Sequence, residues 1–133
     1  MNKILWIDDE PKRFSKLSEL EDIEVIFAHG REQIDYYLKA SKINFDLIIL
    51  DHDMPLMNGV DVCNEFLIEK NIQVILCSMN IYGAENQARI LSQYDTDEYH
   101  YPYHQCCVSD SNFSKKINTF LRQINRRRAA KAS

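Results

Sequence analysis

Apolar residues in this chain fall into short blocks of two kinds. One kind reads as strands and the other recurs at helical spacing, and several strand-like blocks end in polar or acidic residues. Lys3-Ile4-Leu5-Trp6-Ile7 has the composition of a buried strand and stops at Asp8-Asp9-Glu10. Leu47-Ile48-Ile49-Leu50 is too short for a buried helix and is bounded by polar residues and turn formers. It reads as a central strand of a parallel sheet, with Asp51 at its carboxyl end. Ile23 to Ala28 alternates less cleanly but is rich in β-formers and makes the second strand. Ile72 to Cys77 makes the fourth, followed at once by Ser78, and a short fifth strand is predicted near Glu98 to Tyr101.

The blocks between the strands repeat with the period of a helix. Pro11 to about Leu20 places Phe14, Leu17 and Leu20 on one face, and proline suits a first helical turn. After Gly30, Glu32 to about Ala40 turns Ile34, Tyr37 and Leu38 inward. Val60 to about Glu69 and Ala84 to about Gln93 supply two more helices. Phe113, Ile117, Phe120, Leu121 and Ile124 form the apolar stripe of a closing helix. Strands joined by helical crossovers imply an α/β fold, a doubly wound five-stranded parallel sheet of flavodoxin-like order 2-1-3-4-5. The 133 residues suffice for one well-buried core, and neither repeats nor a linker divide them. The expected organisation is one domain over residues 1–125 and a basic C-terminal tail over residues 126–133.

Composition narrows the class. With 45% hydrophobic and 27% charged residues the chain has the balance of a soluble globular protein. Its strictly apolar runs are only a few residues long, which excludes a membrane-spanning helix, and the N-terminus leads straight into a strand, so a cytoplasmic location is expected. Cys63, Cys77, Cys106 and Cys107 contain no Cys-x-x-Cys pair and are expected to be reduced. The formal net charge of −4 conceals an asymmetry. Residues 1–110 carry 9 Lys and Arg against 20 Asp and Glu, whereas residues 111–133 carry 7 Lys and Arg and no acid.

The candidate chemistry lies at the strand ends. In open α/β sheets the carboxyl edge is where ligands bind, and Pro55 and Asn58-Gly59 hold Asp51 on a loop at that edge. If strands one and three are neighbours, Asp8, Asp9 and Asp51 meet, and their charges repel unless protonated or neutralised by a cation. Ligands that are all oxygen favour a hard ion such as Mg²⁺, which keeps several waters and is completed by phosphate oxygens. A single strand-end acid commonly caps a helix N-terminus; three acids converging from two strand ends favour the metal.

The segments Ile4-Leu5-Trp6-Ile7-Asp8-Asp9-Glu10 and Leu50-Asp51-His52-Asp53-Met54-Pro55-Leu56-Met57-Asn58-Gly59 together resemble the receiver domain of two-component response regulators, a resemblance that covers nearly the whole chain. It implies that Asp51, three residues before Met-Pro, accepts a phosphoryl group. It implies also that Asp8 and Asp9 help hold Mg²⁺, that the backbone carbonyl of Asp53 is a further ligand, and that Ser78 hydrogen-bonds the phosphoryl group. Receivers carry a Lys immediately before a Pro after the fifth strand; the nearest match here, Tyr101-Pro102, lacks that cation.

A further stretch, Cys77-Ser78-Met79-Asn80-Ile81-Tyr82-Gly83, taken with Asp51-His52-Asp53, is similar to the cyclic-phosphate-processing receiver-like family. The typical pattern there is Asp-His-Asp after the third strand and His-Ser-x-Asn-Pro-x-Gly after the fourth. His52, Ser78, Asn80 and Gly83 are kept, while Cys77 and Ile81 replace a His and a Pro. This likeness implies a Mg²⁺-dependent phosphoesterase acting on a cyclic phosphate, linked to RNA ends. Asp51 attacking in line, or His52 activating a water, would serve it, with Ser78 and Asn80 donating hydrogen bonds to the equatorial oxygens.

Two rival readings are a stand-alone receiver, phosphorylated on Asp51 by a phosphodonor and switching a protein partner, and a receiver fold kept as a non-catalytic binding module. Weaker signals complete the picture. His100, His104, Cys106 and Cys107 are soft metal ligands that suggest Zn²⁺, although adjacent cysteines chelate one ion poorly. Tyr94, Tyr99, Tyr101 and Tyr103 offer stacking surface for bases, with rim packing as the plainer account. Arg126-Arg127-Arg128 and Lys131 could attract RNA phosphates or a protein partner, against the default of a frayed, solubilising terminus.

Overall fold

A computed structural model describes residues 1–9, 22–51, 54, 59–62, 65–66, 72–78, 103–107 and 113–132. The apolar blocks become β1 (Asn2–Ile7), β2 (Ile23–Ala28), β3 (Leu47–Asp51), β4 (Gln73–Ser78) and β5 (Tyr103–Cys107). They form one sheet of order β2-β1-β3-β4-β5, with every pairing parallel. The flavodoxin-like order expected from alternating strand and helix blocks is the one observed.

All five residues of β3 are buried, as a central parallel strand covered on both faces requires. Successive strand residues alternate between those faces, so the sheet has two cores. On one side Leu5, Ile7, Ile48, Leu50 and Val74 pack with Ile34, Leu38 and Val62. Ile34 belongs to α1 (Gly30–Asp35), Leu38 to the π-helical turn Tyr36–Ala40 that continues it, and Val62 to α2 (Gly59–Val62). The chain enters α1 through Gly30 at φ +81°, a left-handed conformation that glycine adopts without a Cβ penalty. On the other side Ile4, Trp6, Leu47, Ile49 and Ile75 receive Ile117, Leu121 and Ile124 of α3 (Phe113–Ala132).

The amino edge of the sheet is fastened to the far end of α3. Asp46 Oδ2 accepts from the Lys3 backbone N–H at 2.7 Å and from Asn2 Nδ2 at 3.3 Å, and Asp46 Oδ1 pairs with Arg128 Nη1 at 2.5 Å. Asn2 and Asn125 exchange reciprocal side-chain hydrogen bonds of 3.0 and 3.1 Å.

Three boundaries differ from the sequence reading. The fifth strand is described at Tyr103–Cys107, whereas Glu98 to Tyr101, where it was expected, lies outside the described residues. Tyrosines run on both sides of Pro102, so propensity did not mark the start; parallel pairing with Val74–Ser78 did. The helix expected from Val60 is described as α2 starting at Gly59, with Glu65 and Phe66 in π-helical geometry beyond it. Finally, α3 continues through residues 126–132 of the stretch 126–133 read as a basic C-terminal tail, because Arg, Lys and Ala are strong helix formers. The helices expected at Pro11 to Leu20 and Ala84 to Gln93 lie outside the described residues. No helix among the described residues is long and apolar enough to cross a membrane.

Candidate metal and phosphoryl site

Both β1 and β3 run from apolar core into acid at the carboxyl edge, and their pairing in register, Trp6 with Ile49 and Ile7 with Leu50, brings the two ends side by side. The Asp8 backbone N–H donates to the Ala28 carbonyl at 3.2 Å, which carries the β1–β2 ladder one residue past the strand and fixes Asp8 there. Trp6, two residues earlier and therefore on the same side, donates from Nε1 to Asp8 Oδ2 at 3.1 Å. Asp51 ends β3, so its backbone is held by the sheet itself.

The outcome is the convergence anticipated from the sequence. One carboxylate oxygen each from Asp8, Asp9 and Asp51 lies within 4.8 Å of the others. Asp8 and Asp51 are 1% and 0% exposed and Asp9 is half-buried, so solvent screens these like charges weakly. The donor set contains oxygen alone and suits a hard divalent cation of the Mg²⁺ class. The indole hydrogen bond orients Asp8, in the way that groups behind metal ligands commonly do. That contact was missed from sequence, although a Trp two residues before an acid at a strand end was its signal.

The other candidates are placed less fully. Ser78 is the last residue of β4 and pairs in register with Cys107. His52, Asp53 and Asn80 lie outside the described residues, as do Pro55, Gly83 and His100. For the Zn²⁺ reading, His104, Cys106 and Cys107 lie within β5, while His100 is outside the described residues. Pro102 precedes β5, so the position where receivers carry a Lys follows Cys107, and the sequence there, Val108-Ser109-Asp110, has no lysine either. A recess of about 600 Å³ lined by Lys3, Lys42, Asp46 and Arg128 lies at the opposite, amino edge and takes no part in this cluster.

Residues 4–99 match the family described as the response regulator receiver domain. The chain belongs to that family. Among curated relatives it is 35% identical over 102 residues to the transcriptional regulatory protein CpxR of Klebsiella pneumoniae, a match covering 74% of this chain and 42% of that protein. The chain thus spans about two fifths of the length of that relative. Among solved structures, a receiver domain protein from Clostridium thermocellum superposes with a TM-score of 0.69 at 23% identity, covering 98% of this chain and 99% of the other. The response regulator TrrA of Thermotoga maritima, solved with Mg²⁺-BeF, gives a TM-score of 0.63 at 26% identity and covers 90% and 99%. TrrA has also been solved in complex with the histidine kinase ThkA.

Proposed function

We propose that this receiver domain is a phosphoryl-accepting switch with Asp51 as the acceptor. The observation that carries the reading is the convergence of the Asp8, Asp9 and Asp51 carboxylates at the carboxyl edge of the sheet, in a chain of the receiver family. A carboxylate oxygen of Asp51 attacks the phosphorus of a phosphodonor, the donor's leaving group departs with the electrons of the broken bond, and an acyl phosphate forms on Asp51. Mg²⁺ held by Asp8, Asp9 and Asp51, with the Asp53 carbonyl, would neutralise the charge that these carboxylates and the phosphoryl oxygens bring together. Ser78, at the end of the neighbouring strand, is the proposed hydrogen-bond donor to the phosphoryl group. TrrA's complexes with Mg²⁺-BeF and with a histidine kinase support a phosphohistidine donor of that class. The exposed Arg126 and Arg127 of α3 offer a basic surface to an acidic or phosphate-bearing partner.

Incubation with acetyl phosphate and Mg²⁺ should add one phosphoryl group by mass, and Asp51→Asn should abolish the addition. Absence of the adduct, together with no Mg²⁺-dependent response to beryllofluoride, would overturn the reading.

The Asp51-His52-Asp53 and Ser78-x-Asn80 pattern favours a second reading, cyclic-phosphate hydrolysis using His52 and Asn80. The similarities to receivers favour the switch over it. Ring opening of 2′,3′-cyclic-phosphate oligonucleotides by the wild-type chain, lost in Asp51→Asn and His52→Ala, would reverse that preference.

A further inference from the structure

Folding brings together two cysteines that are far apart in the sequence. β4 and β5 pair in parallel with Cys77 opposite Cys106, and β3 and β4 pair with Asp51 opposite Cys77. Asp51, Cys77 and Cys106 therefore occupy one row across three strands, two positions beyond Ile49 and Ile75 and on the same face of the sheet. Adjacent strands lie about 4.7–4.9 Å apart, and disulfides bridge Cα separations of about 4.4–6.8 Å, so the backbone of this pair is already within range. The preferred Cβ separation of a disulfide, about 3.8 Å, is shorter than the strand spacing. A bond here is accordingly strained, and strained disulfides are the readily reduced, regulatory ones. Cys107 is on the opposite face from both Cys77 and Cys106, so neither alternative pairing with it has this geometry.

We infer that Cys77 and Cys106 are a reversible oxidation site, a dithiol that a peroxide converts to a disulfide between β4 and β5. One thiol is oxidised to a sulfenic acid as the peroxide O–O bond breaks and a water leaves. The second thiol then displaces the sulfenic oxygen as a further water, so two thiols and hydrogen peroxide give one disulfide and two waters. The bond ties β4 to β5 in the row that contains Asp51, one residue before Ser78, and slows phosphoryl transfer by restraining that strand end. This consequence rests on the acceptor reading of Asp51; the bond itself does not.

The full chain is treated with hydrogen peroxide, alkylated under denaturing conditions, and analysed by intact mass and peptide mapping. The expected result is the loss of two hydrogens and a Cys77–Cys106 cross-linked peptide that a thiol reductant reverses. The cross-link should vanish in Cys77→Ser and Cys106→Ser and persist in Cys63→Ser and Cys107→Ser. Oxidised wild type should take a phosphoryl group from acetyl phosphate several-fold more slowly than reduced, while the rate of Cys106→Ser should ignore the oxidant. Only intermolecular links, or links through Cys107, would overturn the site, and a cross-linked chain that accepts phosphoryl groups at the reduced rate would overturn its regulatory effect. A chain that accepts none in either state fails the acceptor reading instead, while the cross-link read by mass stands.

Discussion

The chain's single tryptophan has a fully buried ring whose Nε1 donates to Asp8 Oδ2 over 3.1 Å, so Trp6 joins the aromatic core to the carboxylate cluster. Mg²⁺ titrated into the wild-type chain should therefore change Trp6 fluorescence saturably. Trp6→Phe keeps an aromatic ring in the core and removes the donor together with part of the ring volume. Losing a group that orients a metal ligand weakens binding by about 10–100-fold, and a calorimetric Mg²⁺ titration should show a decrease of that order. An unchanged affinity would mean that Asp8 needs no such orientation. At this scale the acids were legible because charge is local to a residue, whereas the indole's role needed the strand end to place both side chains on one side.

Among the elements, α3 joins the two ends of the chain. Its apolar stripe was visible as helical spacing, and Ile117, Leu121 and Ile124 do cover one face of the sheet. Leu121→Ala should cost about 2–5 kcal/mol in urea unfolding, the range for truncating a buried leucine. The polar latch at the other edge was not legible, since Asn2, Lys3, Asp46, Asn125 and Arg128 are scattered along the chain. Asp46 holds most of it: its side chain is 10% exposed and accepts the Lys3 backbone N–H, so Asp46→Ala should cost about 1–3 kcal/mol. Arg128 is 57% exposed, so Arg128→Ala should cost less than about 1 kcal/mol. Equal losses for the two variants would show the ion pair, not the backbone hydrogen bond, to be the stabilising contact.

For the whole molecule, folding gathers acid where acid is unfavourable. Residues 1–110 carry a formal charge of −11, from 9 Lys and Arg against 20 Asp and Glu, and three carboxylates meet at one edge. An ion that binds only the folded state should stabilise it by about 2.7 kcal/mol at a hundredfold excess over its dissociation constant. Mg²⁺ should accordingly raise the Tm in thermal unfolding. Asp51→Asn should behave oppositely in the two conditions, with a higher Tm than wild type when no divalent ion is present, because one repelling charge is gone, and a much smaller response to Mg²⁺. A Tm indifferent to Mg²⁺ would remove the metal from the account.

Among the described residues, the sequence alone determined the kinds of element, the apolar faces of α1 and α3 and the acids at the strand ends, because each depends on residues a few positions apart. Only the tertiary structure decided that β5 begins at Tyr103, that Asp46 receives Arg128, and that Asp51, Cys77 and Cys106 share a row. These depend on register between distant segments. Register is set by burying the faces of the sheet together, and a slip of one residue would turn every side chain to the wrong side.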